Sequence, residues 1–435
     1  MAQGPRGDLR HAAGARGDRV RAAGAGFLPP AGNRAARPDP GIRAQPGVAY
    51  ALHPRRHPLQ RAGAPARGAA DRRGSAETSR LRILVISHPP LAAELGAAQI
   101  ALSLAEGLRG RGHDAIAWSP EPLPPGARWW NLWQRQTQGI ERFAAERGPF
   151  DVIDAPAISA SARLARHGRL VARSVQPELR YLGLDLRNDL ARRPSPRALV
   201  NAALGLPRAA AIVGGWRRAS RILCLGTHEL DWMRRRFPRW ASKLGVYLCA
   251  LPAAEREALA EVRRRRSRSA GPGTRFLWIG RWSAQKGTRR LLRFLRERLA
   301  TSPDDTFTIA GCGPAAERDL PSGALRSGRV RILPTFPRRE LPALLAGHDA
   351  GLFTSGVEGW GLSLTEMLES GLPVFATEAG AVADLRPYFP ASLRPFPPPA
   401  EIAPGPLEDL EANGYYERFS WPAIARSWEE QVLGP

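Results

Sequence analysis

The chain has 435 residues and a formal charge of +24, so it is long enough for two or three domains with a sizeable core. All of its basic residues except Lys243 and Lys286 are arginine, and Ala, Gly and Pro are abundant. This bias favours a compositional origin of the charge, so nucleic-acid binding is the minority interpretation and no nucleic-acid partner is expected. The cysteines are few and widely spaced, without a disulfide framework or a zinc pattern, which indicates a reducing, cytoplasmic compartment.

Residues 1–80 differ in composition from the rest of the chain. They are rich in Arg, Gly, Ala and Pro and show almost no aliphatic periodicity. Such a segment cannot bury enough apolar surface to fold. We therefore expect either a disordered extension or an over-extended start, with the folded protein beginning near Leu81. No signal-peptide core is recognisable in this segment.

Residues 81–252 are predicted to form a first α/β domain. The apolar run LRILVIS suits a buried parallel strand, Gly96 opens a helix, and Ala115–Trp118 forms the next strand. No G-x-G-x-x-G follows the first strand, so a dinucleotide fingerprint is absent. Farther along, Thr227 is expected to cap the helix that follows the buried strand RILCLG.

Two stretches of this domain could instead contact a membrane or an acceptor. Trp129, Trp130 and Trp133 lie among prolines and polar residues, and packing of this insertion against its own domain is favoured over an exposed role. Asn201–Trp216 is apolar, but a Pro-Arg pair interrupts it, so no membrane span is expected.

A linker is predicted over residues 253–273 and a second α/β domain over residues 274–412. The strand FLWIG precedes the loop RWSAQKG, which places Arg281 and Lys286 at the carboxyl end of the strand. Two cations at this edge favour a diphosphate site, and a solvated basic loop is the alternative. The final segment, residues 413–435, contains an amphipathic helix with Trp421 and Trp428.

The stretch from Asp349 to Asp384 has the order strand, glycine turn, helix, strand. Glu358 precedes the turn, and Glu366 follows about two helical turns later by the 3.6-residue repeat. A phosphate at the helix amino end and a polyol between the two carboxylates would use all of these groups. An ordinary βα turn with two surface glutamates is the alternative. The turn and the helix start comprise Gly359, Trp360, Gly361 and Leu362.

From about Leu81 onward the chain resembles a retaining glycosyltransferase of the group 1 family, whose GT-B fold has two Rossmann-like domains facing a cleft. GRWSAQKG matches the family's G-R-x-x-x-x-K-G loop, and AGCGP matches its G-x-G-P turn. HDAGLFTSGVEGWGLSLTEMLESGLPVFAT matches its Glu-x7-Glu block. In the first domain the resemblance rests on LRILVIS, Gly96 and RGHD. FSWPAIARSW resembles the terminal segment that crosses back to the first domain.

The resemblance implies a role for each matched residue. Arg281 and Lys286 would neutralise the diphosphate of the donor, and Glu358 would contact the sugar near the reacting carbon. Glu366 would bind the ribose hydroxyls. The backbone N–H groups from Trp360 to Leu362 would bind oxygens of the donor, with Gly359, Gly361 and Gly96 in the glycine loops. No Asp-x-Asp occurs in the chain, so neither a metal ion nor a separate cofactor is expected.

The chain departs from the family mainly on the acceptor side. The paired glycine loop reads Gly96-Ala97, and VARSVQPE has Val175 and Gln176 where relatives often have a histidine. Neither His88 nor His113 obviously replaces that histidine, and His113 is expected to be structural. An expected Asn-Gly is replaced by Cys249-Ala250.

The predicted function is transfer of a sugar from a nucleotide-diphosphate sugar to a glycan or lipid-linked acceptor, without metal, in polysaccharide or glycolipid synthesis. A GT-B scaffold that binds a nucleotide or glycan without turnover is the alternative, and an epimerase-like relative is a third possibility. The cationic surface leaves peripheral contact with the inner face of a membrane open.

Overall fold

The computed structural model describes residues 80–92, 95–123, 127–128, 130–191, 196–266, 272–403 and 405–434. The predicted disordered extension over residues 1–80 lies outside the described residues, apart from Arg80. Residues 77–435 form one compact unit that contains two six-stranded sheets. Two parallel α/β sheets confirm the predicted fold class.

The first sheet has the strand order β2-β1-β3-β4-β5-β6, and all neighbouring pairs are parallel. Its strands are Arg82–Ile86 (β1), Asp114–Trp118 (β2), Val152–Ala155 (β3), Arg169–Arg173 (β4), Arg221–Leu225 (β5) and Leu244–Tyr247 (β6). The helices among them are Gly96–Gly110 (α1), Leu132–Arg147 (α2), Glu178–Ala191 (α3), Pro196–Arg218 (α4) and Thr227–Arg236 (α5). The strand order reverses between β1 and β3, and open α/β sheets bind ligands beyond the carboxyl ends of such strands.

The second sheet has the order β12-β11-β10-β7-β8-β9, again with parallel pairs throughout. Its strands are Arg275–Ile279 (β7), Thr306–Ala310 (β8), Val330–Leu333 (β9), Ala350–Phe353 (β10), Val374–Ala376 (β11) and Leu393–Pro395 (β12), and its helices are Thr288–Thr301 (α7), Ser322–Arg326 (α8), Leu341–Ala346 (α9), Leu362–Glu369 (α10) and Val382–Leu385 (α11). This is the Rossmann strand order, and its reversal lies between β7 and β10. The ligand crevice of this domain is therefore expected beside these two strands.

Helices also connect the two sheets. Helix α6 (Ala253–Arg264) occupies much of the predicted linker, and its Leu259 is buried in an apolar cluster that contains residues of both sheets. After a short α12 (Tyr415–Arg418), α13 (Trp421–Leu433) packs against α1 of the first domain. The Trp428 indole donates a hydrogen bond to Asp154 Oδ2 at 2.8 Å, which joins the end of the chain to strand β3.

One local prediction for the first domain is wrong. Thr227 is the first residue of α5 rather than its cap, and its side chain and amide both donate to Asp384 of the second domain. Helix α4 contains Pro207 in its interior, where a proline removes a backbone hydrogen bond, and it packs on α3 and on the 3-10 turn Ala157–Ser159.

Helix α4 and the tryptophan insertion both reach solvent. Among the described helices, only Ala198–Arg218 is long and apolar enough to cross a membrane, and 11% of its most apolar window is buried. In the insertion, Trp130 is 44% exposed. Trp133 belongs to α2, and Trp129 lies outside the described residues.

Candidate active site

The predicted cations and the first glutamate meet at the carboxyl edge of the second sheet. Strand β7 leads into the loop with Arg281 and Lys286, and its neighbour β10 leads to Glu358. Lys286 Nζ lies 2.5 Å from Glu358 Oε2, and their side chains are only 18% and 10% exposed. The hydroxyl of Ser355 also donates to this carboxylate, at 2.9 Å. Two loops far apart in sequence thus form one polar site at the strand-order reversal.

Backbone contacts hold the lysine loop against the end of β10. The Thr354 hydroxyl donates to the Lys286 carbonyl at 2.8 Å, and the Gly356 amide donates to the Gln285 carbonyl at 2.8 Å. Gly287 has a φ of +71°, and a Cβ there would lie 1.8 Å from the Thr354 carbonyl oxygen. Glycine after Lys286 is therefore a steric requirement of this packing.

Helix α3 of the first domain lies across the lysine loop. Asp185 on α3 accepts a hydrogen bond from Gln285. Tyr181 lies one helical turn before Asp185. Burial raises the pKa of its phenol, the charge of Glu358 raises that pKa further, and the charge of Arg281 opposes the rise. The Tyr181 ring therefore lies within electrostatic reach of both Glu358 and Arg281. Sequence reasoning missed α3, because no motif in it points to the second domain.

The tryptophan of the glycine turn is a core residue. Trp360 is 2% exposed, its indole donates to Thr365 Oγ1 at 3.0 Å, and its ring packs near Phe419. Gly361 has a φ of +89°, and a Cβ there would lie 2.8 Å from Phe353. Only glycine fits at this position, directly before the amino end of α10 at Leu362.

Gly359 and Gly96 are contact points between the two domains. A Cβ at Gly359 would lie 2.7 Å from the Val175 carbonyl and 3.4 Å from Gln176 Cα. A Cβ at Gly96 would lie 2.9 Å from the Leu362 side chain. These glycines were expected to let a ligand approach the backbone closely. At the positions where a Cβ would stand, residues of the opposite domain make that close approach instead. Contacts of Gly359 and Gly96 with a donor stay a prediction.

Glu366 lies next to a residue that the sequence did not single out. Its Oε1 is 2.6 Å from Nη2 of Arg338, and Glu366 is 2% exposed. Burial raises the pKa of Glu366, and the positive charge of Arg338 opposes that rise. Arg338 also pairs with both oxygens of Glu255 on α6, at 3.0 and 2.7 Å. Gln99 of α1 donates to the same Glu255 at 3.1 Å, so this chain of contacts reaches the first domain.

Buried acids support the loop where the family often has a histidine. The Ser174 hydroxyl lies 2.8 Å from Glu229 Oε1, and the Leu225 amide donates to Glu229 Oε2 at 2.7 Å. Burial raises the pKa of Glu229 to about 7, and burial together with Glu229 raises the pKa of Glu178 to about 8. Glu229 thus bonds to Ser174, the residue directly before Val175, and Glu178 lies within electrostatic reach of Glu229.

The two histidines considered from the sequence both bond to other residues of the first domain. His88 hydrogen-bonds to the Ser159 hydroxyl at 2.9 Å, and burial together with the nearby Arg173 lowers its pKa to about 4. His113 is buried and accepts a hydrogen bond from the Leu81 amide at 3.3 Å. Among the described residues, no group of three or more His, Cys, Asp or Glu side chains could hold a metal ion.

Comparison with known proteins places the second domain in a family. The sequence profile described as glycosyl transferases group 1 matches residues 273–387, which include both loops of the site. This domain belongs to the group 1 glycosyl transferases. The chain is 27% identical over 156 residues to the uncharacterized glycosyltransferase YqgM of Bacillus subtilis, covering 35% of this chain and 42% of YqgM.

A second curated relative matches this chain over a similar length. The 2-deoxystreptamine glucosyltransferase of Streptomyces kanamyceticus is 30% identical over 139 residues, covering 31% of this chain and 36% of that protein. The chain therefore matches less than half the length of either curated relative.

Solved structures extend the likeness in fold to both domains. Sucrose-phosphate synthase from Thermosynechococcus elongatus has a TM-score of 0.53 at 16% identity, covering 81% of this chain and 94% of that one. The catalytic domain of starch synthase IV from Arabidopsis thaliana has a TM-score of 0.50 at 12% identity, covering 82% and 96%. The fold is GT-B, as the resemblance implied.

Proposed function

We propose that the chain is a retaining, metal-independent glycosyltransferase that moves a sugar from a nucleotide-diphosphate sugar to a glycan or lipid-linked acceptor. The observation that carries this proposal is the Lys286–Glu358 ion pair at the strand-order reversal of a group 1 domain. Surface polysaccharide or glycolipid synthesis is the proposed setting. Retention is supported by the resemblance of the Glu-x7-Glu block to that of retaining enzymes.

The geometry divides the proposed roles among four side chains. Lys286 and Arg281, on the loop after β7, neutralise the charge that develops on the departing nucleoside diphosphate. Glu358, held by Lys286 and Ser355, faces the sugar near the reacting carbon. Glu366 accepts hydrogen bonds from the ribose hydroxyls. The amino end of α10 adds backbone donors for the phosphate oxygens.

The compared proteins support the type of donor. The Streptomyces kanamyceticus relative is named as a glucosyltransferase, and the Arabidopsis thaliana structure was determined with ADP and acarbose. The first fits a sugar donor, and the second fits a nucleotide-linked donor and a small glycan as acceptor. With cationic side chains and a helix end at the diphosphate position, we propose that the site works without a metal ion.

We also propose a cytoplasmic enzyme in peripheral contact with the inner face of a membrane. The described cysteines are free and buried, which suits a reducing compartment. The strongly positive chain is attracted to anionic lipid headgroups.

A non-catalytic GT-B scaffold is the second candidate. The observation that favours it is the loop at Val175 and Gln176, which offers no histidine and packs directly on Gly359. Such a protein would bind a nucleotide or a glycan in the same cleft without transferring a sugar.

Turnover of a panel of UDP-, GDP- and ADP-sugars by the full chain, with no added metal, tests the proposal. We expect hydrolysis or transfer with one donor. Lys286→Ala and Glu358→Gln should lower kcat about 100-fold or more, since each removes a charge that acts on the reacting groups. Lys243→Ala is the matched control, because this other lysine bonds to backbone carbonyls of the first domain. Nucleotide binding without turnover on any donor would favour the scaffold, and no nucleotide binding would contradict both candidates.

A further inference from the structure

Helix α4 presents an apolar face to solvent. Leu199 is 65% exposed and Leu206 is 80% exposed. Ala203 and Ala210 are exposed as well, and these four residues follow one another at helical spacing to form a single stripe. A surface helix of a globular protein normally turns polar residues to water. A solvent-facing stripe of Leu and Ala therefore indicates a surface that binds an apolar partner.

The last part of α4 is packed on the face opposite the stripe, which anchors the helix to the first domain. Ile212 is 3% exposed and Trp216 is 6% exposed. A Cβ at Gly215 would lie 1.9 Å from the Ala157 carbonyl, which shows how closely the helix backbone approaches the domain. With one face buried in protein, α4 is suited to lie on a surface rather than to cross a bilayer.

Exposed arginines surround the end of α4. The Trp216 ring lies 5.3 Å from both Phe237 and Trp240, so α4 ends beside the end of α5 and the following 3-10 turn. Six exposed arginines lie on these segments, and we call them the arginine patch: Arg217, Arg218, Arg234, Arg235, Arg236 and Arg239. An apolar stripe next to concentrated positive charge matches the two parts of an anionic lipid surface, the acyl region and the headgroups.

We propose that α4 and the arginine patch form the docking surface for an anionic lipid bilayer. The helix lies in the interfacial plane, with Leu199 and Leu206 inserted between lipids and the arginine patch on the headgroups. This inference rests on the proposed peripheral membrane contact and identifies the element that makes it.

The docking surface also bears on the acceptor. Helix α3 packs against α4 and places Tyr181 and Asp185 over the lysine loop. One helical hairpin therefore connects the lipid-facing surface to the acceptor side of the cleft. Of the two acceptor classes, this arrangement favours a lipid-linked one, because its headgroup would enter the cleft beside the bilayer.

Vesicle flotation of the full chain tests the docking surface. The wild type is expected to float with phosphatidylglycerol-containing vesicles and not with pure phosphatidylcholine. The double variant Leu199→Ser/Leu206→Ser should bind at least tenfold more weakly, as should Arg235→Glu/Arg239→Glu. Leu407→Ser is the control, since Leu407 is 44% exposed but follows the second sheet in the chain. Circular dichroism confirms that each variant is folded.

Several results would overturn the inference. Failure of the wild-type protein to float with phosphatidylglycerol-containing vesicles would overturn it. Flotation of the leucine double variant to the same extent as the wild type would overturn it as well. Light scattering adds a third possibility: a wild-type dimer that the leucine substitutions convert to a monomer would show that the stripe binds a second copy. Donor hydrolysis without vesicles is measured in parallel. Loss of hydrolysis with intact flotation would contradict the proposed function alone, and the reverse would contradict the docking surface alone.

Discussion

At the scale of single residues, the charge state of Glu366 depends on its ion pair with Arg338. The pKa of this buried carboxyl is raised by burial and by the neighbouring Glu255, and lowered by the cations Arg338 and Lys286. Behind it, burial raises the pKa of Glu369 to about 7, with Glu366 among the charges that contribute. Among these groups, Arg338 touches Glu366 directly, at 2.6 Å. Loss of the Arg338 cation should therefore most strongly destabilise the ionised form of Glu366, which is the form proposed to accept hydrogen bonds from the ribose hydroxyls.

Replacement of Arg338 by Gln should make nucleotide binding sensitive to pH. Without the cation the pKa of Glu366 rises further, so the carboxyl is protonated at a higher pH than in the wild type. Affinity should then fall as the pH decreases below this raised pKa, by up to about tenfold for each pH unit, and recover at high pH. Calorimetric titration of a nucleoside diphosphate across pH measures this. Arg339→Gln, at the exposed neighbouring position, is the control, and identical pH profiles for the two variants would contradict the role of Arg338.

At the scale of elements, the site depends on how two βα loops fit together. The lysine loop ends in a 3-10 turn at Ala284–Lys286, and α7 begins directly after Gly287. Because Gly287 packs against the carbonyl of Thr354, the helix start and the lysine are placed by the end of β10. Packing of one loop on the next strand thus determines where the charge of Lys286 lies.

Gly287→Ala should disrupt this packing. The new Cβ would lie 1.8 Å from the Thr354 carbonyl oxygen, so the loop has to shift in addition to the backbone strain at a φ of +71°. Gly328→Ala separates the two effects, since Gly328 has a φ of +74° and open space around it. We expect Gly328→Ala to cost about 1–2 kcal/mol and Gly287→Ala clearly more, in urea unfolding. Only Gly287→Ala should also weaken nucleotide binding, and equal losses in both variants would argue against the steric explanation.

At the scale of the whole molecule, polar and apolar contacts join the two domains. An apolar cluster extends from β1 to α10 and includes Trp360 and Trp428. Beside it, Asp384 accepts hydrogen bonds from the Thr227 amide at 2.9 Å and from the Thr227 hydroxyl at 2.6 Å. The carboxylate lies at the amino end of α5, where the helix dipole favours negative charge. These contacts hold the two domains together in the arrangement seen here.

Asp384→Ala should loosen this arrangement. It removes both acceptors of Thr227, which we expect to cost about 1–3 kcal/mol of interdomain stability. The radius of gyration measured by small-angle X-ray scattering should increase, and the midpoint of thermal unfolding should decrease. Glu411→Ala, an exposed acid after the second sheet, should change neither quantity. Unchanged scattering of the Asp384 variant would show that the apolar cluster alone keeps the domains together.

The sequence by itself determined most of the strands, although not β6 or β12, and the sheet edge that carries the chemistry. Apolar runs bounded by glycine turns predicted the strands, because burial on both faces of a parallel sheet leaves a continuous apolar pattern. Arg281, Lys286 and Glu358 could be assigned to one edge, because parallel strands all end on the same side. Lys286 and Glu358 do meet there within hydrogen-bond distance, and Arg281 lies on the same loop as Lys286.

Tertiary structure decided the contacts between distant parts of the chain. Arg338 beside Glu366, Asp384 at the start of α5, and Val175 against Gly359 all depend on how loops and domains pack. Helix α4 likewise runs through Pro207, which local rules alone would not favour. Periodicity reports only on neighbours along a helix or strand, whereas these contacts arise from the fit of surfaces that local patterns do not encode.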